Sequence, residues 1–275
     1  MCVFGSSGYA GHPNLCDIRF LTKDRLLAIT STSYIELYNL EDVVRSARLE
    51  ARFKLPFGAV RFLFPSDFHS DSTCARITAT DEKWIWTTNP ADRVISVVTT
   101  SSVNLVISAR IFFMDIPPTW FNREYEDGRC IRWQTWGPQN SRCFTQKAFT
   151  YGVGGFRVVW AVPVPGSATQ NLFQLHMTDF NPAAVVRGIG RVVREPTICK
   201  PSRYLPDHIV TTSLPYLEVV NDHIFDAKKM ELYNIMVDEE KVSIFSRKSE
   251  SVSLFPACRA DELTISLDRG LSILT

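Results

Sequence analysis

The sequence has no excess of charge of either sign. Lys and Arg number 30 against 29 Asp and Glu in 275 residues, a formal net charge of +1. That balance removes two classes, the strongly basic nucleic-acid binder and the acidic tail protein. None of the seven cysteines (Cys2, Cys16, Cys74, Cys130, Cys143, Cys199, Cys258) forms a Cys-x-x-Cys pair. Zinc-ribbon and thioredoxin-type chemistry are therefore excluded by spacing. No Asn-x-Ser/Thr acceptor occurs, which together with scattered cysteines points to reduced thiols in a cytoplasmic or nuclear protein.

Long apolar runs are lacking too. The longest nearly uncharged stretch, Val158 to Thr178, is broken by Pro163, Pro165, Gly166, Gln170 and Asn171, whereas a membrane helix needs about 20 mostly apolar residues. The first basic residue is Arg19 and no apolar stretch precedes it, so no signal peptide is expected. A soluble chain with no membrane partner is the expectation.

Apolar residues are plentiful, 45% of the chain with 12% aromatics. This is enough for a full core and too much for disorder. Their period is two, the mark of strands. In Phe156 to Val164 the even face (Phe156, Val158, Trp160, Val162, Val164) is wholly apolar, and the odd face (Arg157, Val159, Ala161, Pro163) is smaller and mixed. Phe173, Leu175 and Met177 alternate with Gln174, His176 and Thr178, and Leu263, Ile265 and Leu267 with Thr264 and Ser266.

The strands come in clusters. Asp17 to Leu21, Arg25 to Thr30 and Tyr34 to Leu40 are joined by Thr22-Lys23-Asp24 and Ser31-Thr32-Ser33, links too short for anything but antiparallel neighbours. The cadence returns at Leu217 to Asp226, Met230 to Val237 and Lys241 to Arg247. Between them strands are expected at Ala75 to Thr80, Lys83 to Thr87, Arg93 to Thr99, Val103 to Ile116, Cys130 to Trp136 and Arg142 to Phe149. Glu41 to Ala51 is the one helix candidate, with Val43, Val44, Ala47 and Ala51 on a stripe, weighed against a loop. Repeated four-stranded meanders of roughly 40–45 residues are the pattern of a β-propeller. A β-sandwich competes, but its Greek-key returns need longer links. The expectation is one all-β domain over 1–275, a propeller or incomplete propeller with very little helix and a poorly ordered segment over 1–16.

Little of the chemistry is distinctive. Gly152-Val153-Gly154-Gly155 runs into a strand rather than a helix, so it reads as a turn and not as a phosphate loop. His12, His69, His176, His208 and His223 are scattered; Asp207-His208 and Asp222-His223 are sequence neighbours, which strands send to opposite faces. No Gly-x-Ser-x-Gly elbow is present,. Asp238-Glu239-Glu240 reads as a charged hairpin tip before it reads as a cation site. No catalytic residue, metal or cofactor is expected.

Arginines and aromatics interleave at Arg123, Arg129, Arg132, Trp133, Trp136 and Arg142, a composition shared by single-strand nucleic-acid surfaces and protein hot spots. Near-zero net charge disfavours nucleic acid. The most distinctive stretch is Trp133 to Arg142. Gly137-Pro138 reads as a tight turn between two strands, covered by Trp136, with Arg142 anchoring the return strand. Trp133, Trp136, Asn140 and Arg142 are the candidate partner contacts, set against a structural role for the same side chains.

These residues also carry a resemblance. Trp133-x-x-Trp136-Gly137-Pro138-x-Asn140-x-Arg142, followed by Gly155-x-Arg157-Val158, is similar to the C-terminal region of basidiomycete fungal F-box proteins. So are Asp17 to Leu21 through Ile35 to Leu40, and Leu232 to Glu240. The resemblance implies a propeller-like region that selects a protein target for a cullin-based ubiquitin ligase. In that family an F-box of about 45 residues comes first. None precedes Asp17 here, and Leu205 to Val210 only echoes its opening, since Leu214-Pro215 follows. A non-enzymatic protein-interaction module is expected, truncated or having lost its F-box, with open blade edges that favour aggregation or oligomerisation. The alternatives are a propeller hydrolase with a polar central channel and a structural remnant with no partner.

Overall fold

The computed structural model describes residues 15–40, 47–63, 89–99, 103–122, 128–145, 148, 150–166, 172–188, 190–200, 209–226, 230–237, 241–248, 260–266 and 272–274. The fold is all-β and mostly antiparallel. Strands β1 (Leu15–Phe20), β2 (Arg25–Thr30), β3 (Tyr34–Asn39) and β4 (Arg48–Lys54) form a meander in which each strand pairs with the next. Ser33 adopts a left-handed conformation (φ 65) in the β2–β3 link, where the Ser33 N–H donates to the Thr30 carbonyl at 3.0 Å. The proposed helix at Glu41 to Ala51 is overturned where it is described, because Arg48 to Ala51 lie in β4. Ala51 and Phe53 are fully buried there while Arg52 pairs with Glu36; sheet burial at period two outweighs a weak helical stripe. Glu41 to Ser46 lie outside the described residues, as do the strands expected at Ala75 to Thr80 and Lys83 to Thr87.

The second sheet follows the same plan. It comprises β5 (Ala59–Leu63), β6 (Val94–Thr99) and β7 (Asn104–Ser108). The expected long strand Val103 to Ile116 stops at Ser108 and continues as a 3₁₀ turn over Ala109–Phe112. The two-residue β8 (Cys130–Ile131) returns to pair, in parallel, with β4. Then comes α1 (Trp133–Asn140), and β9 (Ser141–Phe144) completes the second sheet beside β7.

The third sheet runs β10 (Tyr151–Gly154), β11 (Arg157–Pro163) and β12 (Leu172–Asp179). After α2 (Pro182–Arg187) and β13 (Arg191–Val193), β14 (Thr197–Cys199) and β15 (Val210–Thr212) make a separate ribbon. β16 (Tyr216–Asp226) then closes the sheet between β12 and β13. Asn181 caps α2 by accepting from the Ala183 N–H at 2.9 Å, and Gly188 ends it at φ 67,. The fourth sheet is the meander β17 (Met230–Val237), β18 (Lys241–Lys248), β19 (Ala260–Ser266) and β20 (Ser272–Leu274). Asp238 to Glu240 lie outside the described residues, and of the 1–16 segment only Leu15 and Cys16 are described, as the start of β1.

Three cores lie between consecutive sheets. Leu27, Ile29, Ile35, Leu37 and Phe53 of the first sheet meet Phe62, Ile95, Val97, Leu105 and Ile107 of the second. The reverse face of the second, with Val94 and Val106, meets Val158, Trp160 and Val162 of the third. The reverse face of the third, with Val159, Ala161, Phe173 and Leu175, meets Ile235, Val237, Val242 and Ile244 of the fourth. Sheets covered on both faces need apolar residues at odd and even positions alike, which accounts for the small odd face of β11.

The first strand of each sheet lies at its edge; β1 adjoins β5 and β10 adjoins β17, while β10 meets the second sheet through β6. The Phe62 N–H of β5 donates to the Asp17 carboxylate of β1 at 2.8 Å. The Val94 N–H donates to the Gly155 carbonyl at 2.9 Å. β10 packs on β17, and the glycines explain how: a Cβ on Gly154 would sit 2.2 Å from the Val237 carbonyl oxygen, and one on Gly152 2.5 Å from that of Ile235. The glycine-rich stretch is thus a strand and hairpin turn that admits a neighbouring backbone.

Candidate functional site

The segment singled out by its sequence is built differently from its expected form. Trp133 to Asn140 is an α-helix, so Gly137-Pro138 is not a turn between two strands, and the strand expected over Cys130 to Trp136 ends at Ile131. The reason lies in the side chains. The Trp133 ring folds over Gly137 one helical turn on, where a Cβ would lie 2.2 Å from Trp133 Cε3. Only glycine leaves that space. Three carbonyls near the helix end have partners: Trp136 O accepts from Asn140 Nδ2 (2.7 Å), Gly137 O from the Ser141 hydroxyl (2.6 Å), and Pro138 O from the Ser213 N–H (2.7 Å),.

Two of the four candidate residues are wholly enclosed. Trp136 and Arg142 have 0% exposure and Trp133 has 7%; Asn140 is half-buried. Trp136 packs edge-on against Phe53 and Trp133, with centroids at 5.4 and 5.1 Å. Arg142 Nε donates to the Leu214 carbonyl at 2.8 Å, while Nη1 donates to the Glu195 carbonyl (2.8 Å) and the Thr197 hydroxyl (2.7 Å). Its guanidinium lies over the Tyr216 ring at 5.1 Å. Burial draws Arg142 below the ordinary guanidinium range,. Beside it the Cys143 thiol donates to the Cys199 sulfur, and that bond and burial push Cys143 up while Cys199 is drawn down. The helix and β9 therefore bracket the β4 end of the first sheet, the ribbon and the entry to β16.

The histidines are dispersed. His176 sits half-buried on β12, its pKa lowered by burial and partly restored by Glu218. His223 is exposed on β16, edge-on to Phe225 at 4.6 Å. His12, His69 and His208 lie outside the described residues.

A concave site lies elsewhere, at the outer edge of the first sheet. A cleft of about 260 Å³ is lined by Arg25, Leu37, Arg48–Glu50, Met114–Ile116, Phe121 and Arg129. A β-bulge shapes one wall: Leu37 pairs with Ala51 but Tyr38 pairs with Leu49, so Glu50 is the extra residue,. Pairing of β8 with β4 covers only Arg52 and Phe53. Past its end Arg129 Nη1 donates to the Leu49 carbonyl and caps the open edge. Arg25 Nη1 donates to the Phe112 carbonyl, and its guanidinium lies 5.7 Å from the Phe113 ring. Asn39 Nδ2 donates to Glu50 at 3.0 Å. Arg48, Asp115 and Met114 are exposed. The interleaving of arginines and aromatics in the sequence marks Arg129, but nothing local marks Arg25 or Arg48, which the tertiary fold alone brings beside it.

No protein-family model matches the chain, and no curated protein is similar to it.

Proposed function

We propose that the chain is a non-enzymatic protein-interaction module on a propeller-type scaffold, akin to the target-selecting region of an F-box protein. The scaffold reading is supported by four successive antiparallel sheets of four or five strands, each opening on an edge strand, with β1 packed beside β5 and β10 beside β17, as neighbouring blades pack around an axis. The observation that carries the interaction reading is the cleft. It sets Arg25, Arg48 and Arg129 beside the exposed Met114, at a sheet whose side chains Leu27, Ile29, Ile35 and Phe53 are buried. Arginine and methionine are the residue types enriched where proteins meet.

The test replaces Met114 with a photo-crosslinking benzoylphenylalanine in cells. A discrete protein adduct is expected at Met114 and none from the same residue at the exposed Val186 of α2. Identical adducts at both places, or none at Met114, would overturn the reading. The ligase connection has its own test, an in-frame F-box in the transcript upstream of the Met1 codon.

A further inference from the structure

We infer that the cleft at the outer edge of the first sheet takes an acidic side chain from a protein partner, with an apolar neighbour of that side chain resting on Met114. This rests on the interaction reading above and names what the cleft recognises.

Three guanidinium groups line a space of about 260 Å³, room for one or two side chains rather than for a domain. Two of the three are already held in place from within. Arg25 is fixed on the Phe112 carbonyl and Arg129 on the Leu49 carbonyl, so they stand as pre-set walls that lose little freedom when a ligand arrives. Arg48 differs. It is exposed, and among the described residues its side chain makes no hydrogen bond or ion pair. A guanidinium has a planar fork of donors that matches a carboxylate two-to-two. Of the two acids in the lining, Glu50 accepts from Asn39, which leaves exposed Asp115 as the group that a negative ligand must tolerate. The cleft is thus positive at its mouth and apolar along Met114, Ile116 and Phe121, the combination that suits an Asp or Glu followed by an aliphatic residue.

The test uses the full chain and fluorescence anisotropy. The probe is a fluorescein-labelled decapeptide of alternating Glu and Leu, compared with its Gln–Leu and phosphoserine–Leu counterparts. Saturable binding of the Glu–Leu peptide is expected, at least tenfold tighter than the Gln–Leu peptide. Arg48→Glu should weaken it at least tenfold, and Asp115→Asn should tighten it several-fold. Arg187→Glu, the same charge change on α2, should leave it unaltered. Thermal melts of all three variants should match the parent, since each side chain is exposed. Equal binding of the Glu and Gln peptides, or equal losses from Arg48→Glu and Arg187→Glu, would overturn the inference, as would a phosphoserine peptide that binds when the Glu peptide does not. If these peptides fail while the Met114 crosslink still forms, the inference falls and the interaction reading stands; if both fail, both fall.

Discussion

The Trp136 indole N–H donates to the Lys54 carbonyl at 3.1 Å, across 82 residues of sequence. This one bond ties α1 to the last residue of β4. It also gives a buried aromatic the polar partner that its N–H requires.

Removing that side chain should destabilise the protein strongly. Trp136 is fully enclosed and touches Phe53 and Trp133, so Trp136→Ala should cost about 3–5 kcal/mol, the usual cost of emptying an aromatic core site. Urea denaturation reads it directly. An unchanged midpoint would show that α1 is not docked on the first sheet.

Arg142 should behave as a strut. Arg142→Ala strands the Leu214 and Glu195 carbonyls and the Thr197 hydroxyl, and buried acceptors without partners make a loss on the order of 3 kcal/mol the expectation. Arg142→Lys should recover little, because one ammonium cannot span a fork of three acceptors. Equal melts for the lysine variant and the parent would refute this.

Gly154→Ala probes the junction of the third and fourth sheets. The added methyl would meet the Val237 backbone, at 2.2 Å from its carbonyl oxygen, and backbone cannot swing aside as a side chain can. Overpacking of this kind should cost about 3 kcal/mol. Gly128, with nothing within 4 Å of its Cβ position, is the comparison, since alanine there meets only the strain of its positive φ. A Gly154→Ala midpoint above that of Gly128→Ala would count against the junction.

His176 predicts a dependence on pH. Burial lowers its pKa below the ordinary 6.5, so the folded form resists a proton that the unfolded chain accepts. Its contribution is therefore full above pH 6.5 and is lost as the pH falls below it, until the folded imidazole also protonates. His176→Gln should flatten the fall in melting temperature between pH 7 and 5. Parallel profiles for parent and variant would remove His176 as a cause.

Much of the architecture is legible in the sequence. Period two along β11 and β12 and three-residue links such as Ser31 to Ser33 are local signals, and a strand needs only its own alternation and a short turn to declare itself. The expected bounds of β17, Met230 to Val237, are those of the structure. The tight turn expected at Gly137-Pro138 shows the limit of such reading. Glycine and proline usually mark a turn, but here glycine makes room for the Trp133 ring, and the carbonyls freed at the helix end are taken partly by Ser213, far along the chain.

The sequence by itself determined the all-β class and the meander cadence, because each rests on neighbours within a few residues. Only the tertiary structure decided that Trp136 and Arg142 lie inside the fold and that a cleft forms from Arg25, Arg48 and Arg129. Burial and concavity are properties of surfaces that meet. These residues lie in β2, in β4 and just before β8, and no local pattern says that a bulge at Glu50 and the short pairing of β8 will bring them together.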